Sequence, residues 1–172
     1  ELQEEEGIWD QCRRECTPQE FRATLMKRKS GTAPGPSGLT YDILKALSPD
    51  NQEPFRAVVN EILETGEVPA MMNQSLLRPI PKTDEGVADL GKTRPIALME
   101  SMLKLTEAIL FGRIMEVIQK HNMLRSEQYG SLWGRSAKGP IRNLTEILED
   151  AIMNNRELHV FSADISKAFD SL

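Results

Sequence analysis

Cysteine, histidine and long apolar runs are all scarce in this chain. Its two cysteines, Cys12 and Cys16, lie near the amino terminus, whereas its two histidines, His121 and His159, lie far along the sequence. This separation disfavours a four-ligand zinc site, and so few cysteines are typical of reduced proteins inside the cell, in the nucleus or the cytoplasm. No apolar run approaches the ~18 residues of a transmembrane helix, so no membrane partner is predicted.

An excess of positive charge is also lacking. The net charge is −5, and residues 1–20 carry seven acids and two bases, so the rest of the chain balances at zero. Overall charge therefore gives no support for nucleic-acid binding, and local clusters must supply it. Between 113 and 142 six bases stand against two acids and could follow a phosphate backbone: Arg113, Lys120, Arg125, Arg135, Lys138 and Arg142.

Helices and short extended segments alternate along the chain and predict an α+β fold. After an acidic lead-in over 1–16, apolar periodicity and capping residues predict helices at about 17–29, 41–47, 53–65, 101–120 and 141–153. Two extended segments, 76–81 and 94–98, predict a β-hairpin at an edge, because both contain proline. A short apolar run, 158–163, predicts a strand that ends at Asp164.

The longest predicted helix, 101–120, would extend over ~30 Å. One set of its apolar residues recurs at helical spacing and predicts the stripe that faces the core. That set is Leu103, Ala108, Leu110, Ile114 and Ile118.

Asp164 is the residue whose position most favours a catalytic or metal-binding role. A carboxylate at the end of an apolar strand is costly unless it is paired or bound to a metal, and a strand end is a rigid mount for a ligand. Aspartate is also a preferred helix N-cap, and Ser166 to Phe169 could begin a helix. From these residues alone both interpretations stay open.

Five segments follow one another along the chain: 33–39 (APGPSGL), 77–82 with 93–98 (LRPIPK, TRPIAL), 104–113, 128–136 and 164–170 (DISKAFD). Taken together and in this order, they resemble the reverse transcriptases of non-LTR (LINE-like) retrotransposons. The first and last correspond to the family's APGPDGI segment and to its first catalytic motif, DxxKAFD. Three positions depart from the family pattern: Ser37, Ala97 and Ser131 stand where aspartate, serine and an aromatic residue are usual.

The resemblance implies part of a right-hand polymerase. On this basis 17–156 would form mainly helical fingers with the hairpin, and 157–172 would form the first palm strand, truncated within its catalytic motif. Both chain ends are interpreted as cuts through a longer polyprotein.

The resemblance also implies a chemistry. It is RNA-directed DNA synthesis with an RNA template, a DNA primer and deoxynucleoside triphosphates. Two Mg²⁺ ions, or Mn²⁺, would act in the complete domain, with Asp164 as catalytic carboxylate and metal ligand and the Ile165 carbonyl as a second ligand. The acids of a later Asp-Asp turn are absent, so these residues alone are not expected to polymerise.

Further residues acquire roles from the same resemblance. Arg94 and, beside it, Lys82 would bind the incoming triphosphate. Ala168 and Phe169 would contact the nucleotide, with Phe169 as a steric gate against a 2′-hydroxyl. Arg135 and Lys138 lie on a glycine-bearing loop, which favours close approach to a nucleic-acid phosphate.

Two other functions remain possible. A viral-type RNA polymerase usually carries a second acid five residues after the first, and here that position is Phe169, while the acid is Asp170. A polymerase-like module that only binds nucleic acid or protein is the third possibility.

Overall fold

The chain forms two compact units that divide between His121 and Asn122. The computed structural model describes residues 7–82, 93–130, 132 and 134–165. Within these residues it contains five α-helices and one two-stranded antiparallel sheet, which confirms the mixed helix and strand composition. No helix in the described ranges combines the length and apolar character needed to cross a membrane.

The helices of the first unit start where the local capping chemistry allows. The Thr17 hydroxyl accepts a hydrogen bond from the Glu20 amide at 3.1 Å and so caps the first helix. Ser48 and the following Pro49 repeat that arrangement, so the third helix begins earlier than the predicted residue 53. The bounds are α1 Pro18–Met26, α2 Tyr41–Ala46, α3 Pro49–Thr65 and α4 Ser101–Lys120, after a single 3₁₀ turn at Asp10–Cys12.

The core of this unit lies among its four α-helices. Residues from α1, α2, α3 and α4 form one continuous apolar cluster, with Phe21, Leu25, Leu44, Val59 and Leu105 almost fully buried. Each large aliphatic or aromatic side chain buried in this way stabilises the fold by about 1.5–3 kcal/mol. Leu39, in the loop before α2, packs against this cluster.

The buried face of α4 differs from the predicted stripe. Of the predicted set only Leu103 is buried, and the line that faces the core runs through Met102, Leu105, Ile109, Arg113 and Val117. Apolar residues occur on several sides of this helix, so periodicity alone did not select one face. Arg113 lies on the buried face and makes that face look polar in the sequence. Its burial could not be predicted, because the partners that allow it are distant in sequence.

Residues 7–16, predicted to be a peripheral lead-in, are anchored to the first unit. Cys12 and Cys16 are buried, and both are free thiols. Backbone carbonyls of this segment accept hydrogen bonds from Arg113 on α4. The domain boundaries predicted from the sequence stay a prediction.

The two extended segments pair as the predicted hairpin. Strands β1, Ser75–Pro81, and β2, Thr93–Met99, are antiparallel, with Pro79 opposite Pro95 and Ile80 opposite Arg94. Proline has no amide hydrogen, so prolines fit only the pairs that exchange no hydrogen bonds. Pro81 lies two residues from Pro79 and belongs to the same class of pairs. The register therefore places all three strand prolines where no ladder bond is lost.

Among its described residues the second unit contains one helix, α5, Lys138–Met153, which begins three residues before the predicted start. The predicted apolar spacing on it is present, and Ile141, Leu144, Ile147 and Ile152 are all more than two-fifths exposed. The predicted strand at 158–163 is wrong for the described residues: 156–165 is irregular and exposed. A strand requires a hydrogen-bonding neighbour, and in the described part of the chain β1 and β2 pair only with each other.

Candidate nucleotide and nucleic-acid site

One face of the hairpin carries the predicted nucleotide-binding arginine. Side chains of directly paired residues lie on the same face, and the face alternates from pair to pair. Arg94 therefore shares its face with Ile80 opposite, with Ile96 two residues on, and with Arg78 opposite Ile96. All four are exposed. The position of Arg78 beside Arg94 was not predicted. It could have been, because the prolines fit only one class of strand pair, and that restriction places both arginines on the same face.

Other predicted nucleotide contacts lie around or beyond this hairpin. Lys82 directly follows β1 and is exposed, and its predicted role beside Arg94 stays a prediction. Ala168 and Phe169 lie outside the described residues, so their predicted roles stay predictions.

Asp164 and Ile165 are described and lie in the irregular, exposed segment that ends the described chain. The prediction that Asp164 is presented by a buried strand is therefore wrong for these residues. A carboxylate and a peptide carbonyl next to one another are both hard oxygen donors and fit Mg²⁺ or Mn²⁺ chemically. Among the described residues no group of three or more His, Cys, Asp or Glu side chains is arranged to hold a metal ion. The predicted roles of Asp164 and Ile165 as metal ligands therefore stay predictions.

The glycine-bearing loop before α5 is held by its own arginine. Arg135 donates hydrogen bonds to the Ser126 carbonyl and, at 2.9 Å, to the Gln128 carbonyl, and its guanidinium lies 5.4 Å from the centre of the Tyr129 ring. Its predicted contact with nucleic acid would have to use its remaining donors. Lys138, the first residue of α5, is exposed.

Three curated relatives are a probable RNA-directed DNA polymerase from transposon BS of Drosophila melanogaster, a retrovirus-related Pol polyprotein from the type-1 retrotransposable element R2 of Nasonia vitripennis, and the RNA-directed DNA polymerase from the mobile element jockey of Drosophila melanogaster. The identities are 25%, 27% and 27%, over 80%, 82% and 90% of this chain. No family model matches.

The chain thus matches a segment of retrotransposon reverse transcriptases. It covers 15%, 13% and 17% of the lengths of those three relatives. The reverse-transcriptase resemblance noted in the sequence is confirmed by these matches, which extend over most of the chain.

Ser37, one of the three departures from the reverse-transcriptase pattern, is hydrogen-bonded to Glu100. The carboxylate of Glu100 accepts hydrogen bonds from the Ser37 amide at 2.7 Å and from the Ser37 hydroxyl at 2.5 Å. Glu100 is only 4% exposed and joins β2 to α4, so this contact fastens the glycine- and proline-rich loop to the base of the hairpin. The aspartate that is usual in the family at position 37 would place a second carboxylate next to that of Glu100.

Two further contacts hold the glycine- and proline-rich loop at the junction between this loop and the base of the hairpin. The Ser101 hydroxyl donates to the Leu39 carbonyl at 2.6 Å. A Cβ atom at Gly35 would lie 2.7 Å from both the Glu100 nitrogen and the Met99 carbonyl carbon, so only glycine fits there without movement of the backbone. Sequence reasoning assigned Glu100 no role, because nothing at that position distinguishes a buried acceptor from a surface acid.

Arg113, counted above among the bases that could follow a phosphate backbone, is a buried structural residue. Its side chain is 2% exposed and forms a bidentate pair with Glu20, at 2.9 and 2.7 Å. The pair holds the pKa of the Glu20 carboxyl below its usual value. Burial raises the pKa of the nearby Cys16 thiol to about 11, so Cys16 is protonated near neutral pH and unsuited to nucleophilic chemistry.

Proposed function

We propose that this chain is the fingers region and the beginning of the palm of an RNA-directed DNA polymerase from a retroelement. One observation carries the proposal: curated proteins named as RNA-directed DNA polymerases of mobile elements align with 80–90% of the chain. The antiparallel hairpin supports it, because it exposes Arg94, a residue of the matching segment, on a face with no acidic side chain.

In the complete domain the substrates would be an RNA template, a DNA primer and deoxynucleoside triphosphates. Asp164 would contribute a carboxylate oxygen, and Ile165 a carbonyl oxygen, to the catalytic metal centre. Bound Mg²⁺ or Mn²⁺ supplies charge stabilisation for the attacking and leaving oxygens of nucleotidyl transfer. The exposure of Asp164 leaves its carboxylate accessible to such an ion and to the other acids of a complete site.

The remaining predicted residues would position the substrates. Arg94, with Lys82 beside it, would bind the triphosphate through charge-assisted hydrogen bonds. Ala168 and Phe169 would contact the nucleotide, with the Phe169 ring excluding a 2′-hydroxyl. Lys138 would meet a nucleic-acid phosphate, since it is exposed at the start of α5.

The test is primer extension by the full-length polymerase domain on an RNA template with Mg²⁺. Asp164→Asn keeps the size of the side chain and removes its charge, so we expect templated synthesis to fall by at least ~10³-fold, as for the loss of an essential catalytic group. The control is Asp50→Asn, an equivalent change at an exposed position in α3, which should leave the rate unchanged. Synthesis near the wild-type rate in Asp164→Asn would refute the assignment, and a preference for ribonucleotides would favour an RNA polymerase instead.

A further inference from the structure

We propose that Arg78 is a second phosphate-binding arginine, which acts together with Arg94 on the polyphosphate of one nucleoside triphosphate. This inference rests on the proposed polymerase function and extends its nucleotide site across both strands of the hairpin. It assigns a ligand contact to a residue that lies on the opposite strand from Arg94.

The register of the hairpin brings the two arginines together. Arg78 is paired with Ile96, and Arg94, two residues from Ile96, is paired with Ile80. The two arginines are therefore diagonal neighbours on one face, where Cα atoms are typically about 7–8 Å apart. Each side chain is long enough to cover that distance, so both guanidinium groups can converge on a single compact anion.

The charges on this face are uncompensated in the described structure. Arg78 and Arg94 are both exposed, and neither forms a hydrogen bond or ion pair with another described residue. By contrast Arg56, Arg113 and Arg142 each have a carboxylate partner. Two like charges as diagonal neighbours repel one another, so the face is suited to an anion that neutralises both.

The opposite face of the hairpin provides an internal comparison. The paired residues there are Leu77 with Ala97 and Pro79 with Pro95, none of which carries a charge. An anion with adjacent phosphate groups would thus be held on one side of the ribbon only. A triphosphate matches the two guanidinium groups because several negative oxygens lie close together and each group can donate two parallel hydrogen bonds.

The measurement is calorimetric titration of the 172-residue chain with deoxythymidine triphosphate at low salt, with inorganic tripolyphosphate as a competing ligand. We expect Arg78→Ala and Arg94→Ala each to weaken binding about five- to tenfold. A matched pair of acidic substitutions separates the faces. Ile96→Glu places a carboxylate opposite Arg78 and should weaken binding to a similar extent, whereas Ala97→Glu adds the same charge to the other face and should change the dissociation constant less than about twofold.

Several outcomes would overturn the inference. One is wild-type affinity in Arg78→Ala while Arg94→Ala is weakened, and another is the absence of binding by the wild-type chain. A parallel titration with a single-stranded RNA oligonucleotide separates the sources of phosphate: an effect of Arg78→Ala on RNA alone would assign this residue to the template strand and refute the triphosphate contact. All the substituted residues are exposed, and circular dichroism checks that the variants fold.

The result is independent of the catalytic test. Binding requires no synthesis, so in the full-length domain Asp164→Asn should keep the dependence of triphosphate affinity on Arg78. Loss of that dependence with catalysis intact would refute the role of Arg78 alone. Tight, Arg78-dependent binding by a full-length domain that synthesises no DNA would refute the proposed polymerase function alone.

Discussion

Removal of Arg113 should destabilise the first unit more than the loss of an ordinary ion pair. All five N–H donors of its guanidinium have an acceptor: two on the Glu20 carboxylate and three on the carbonyls of Cys12, Arg14 and Glu15. Breaking a buried ion pair costs about 3–5 kcal/mol, because the remaining charge is left without its partner. Arg113→Met should therefore lower the free energy of unfolding by about 3–5 kcal/mol, as measured by urea titration with far-ultraviolet circular dichroism.

A double substitution distinguishes the ion pair from the carbonyl contacts. Replacement of both partners by apolar residues is often neutral for a simple buried pair. Here Arg113→Met with Glu20→Met would still leave three carbonyls without their donor, each at a cost of about 1–3 kcal/mol when water is excluded. We expect the double variant to stay at least ~2 kcal/mol below wild type. A double variant as stable as wild type would refute the reasoning that the carbonyl contacts anchor the amino-terminal segment.

The same pair predicts a dependence of stability on pH. The hydrogen bonds from Arg113 lower the pKa of Glu20 in the folded state. A lowered pKa contributes stability that is fully present above the unfolded pKa of about 4.3, and that is lost as the pH falls through the folded value. The difference in unfolding free energy between wild type and Glu20→Gln should therefore be constant above about pH 5 and shrink below about pH 4. A difference for Glu20→Gln that does not change with pH would contradict the role of this pair.

Two further predictions concern the junction between the loop and the hairpin. Ser37→Asp introduces the usual residue of the family, but it should destabilise the protein by about 1–3 kcal/mol because the new carboxylate would face the buried carboxylate of Glu100. Combination with Glu100→Gln should restore most of the lost stability. A single variant as stable as wild type would contradict this reasoning. Gly35→Ala should lower the free energy of unfolding by about 1–3 kcal/mol, because its Cβ would meet the backbone at Met99. Gly112→Ala is the control and should be neutral or stabilising, because there is open space around this position in α4. Equal unfolding midpoints for the two variants would show that the loop adjusts freely.

Local chemistry was enough to predict most elements of this chain. Thr17 caps α1, and Gly66, which adopts a positive φ of 76°, ends α3, as their residue types indicate. The hairpin followed from two extended segments, and its prolines are compatible with only one class of strand pair. These features depend on neighbours within a few residues, or on a single partner strand, so a sequence contains the information directly. The ordered motifs likewise identified the polymerase resemblance without any tertiary information.

Tertiary contacts decided what local patterns left ambiguous. Arg113 faces the core because Glu20 and the carbonyls of residues 12–15 meet it there, and those partners lie more than ninety positions away. Glu100 became an acceptor for Ser37 through a fold that joins positions 63 residues apart. Arg78 and Arg94 became neighbours only when the two strands paired in one register. The run at 158–163 shows the converse, since an apolar pattern forms a strand only where a neighbouring strand supplies its hydrogen bonds.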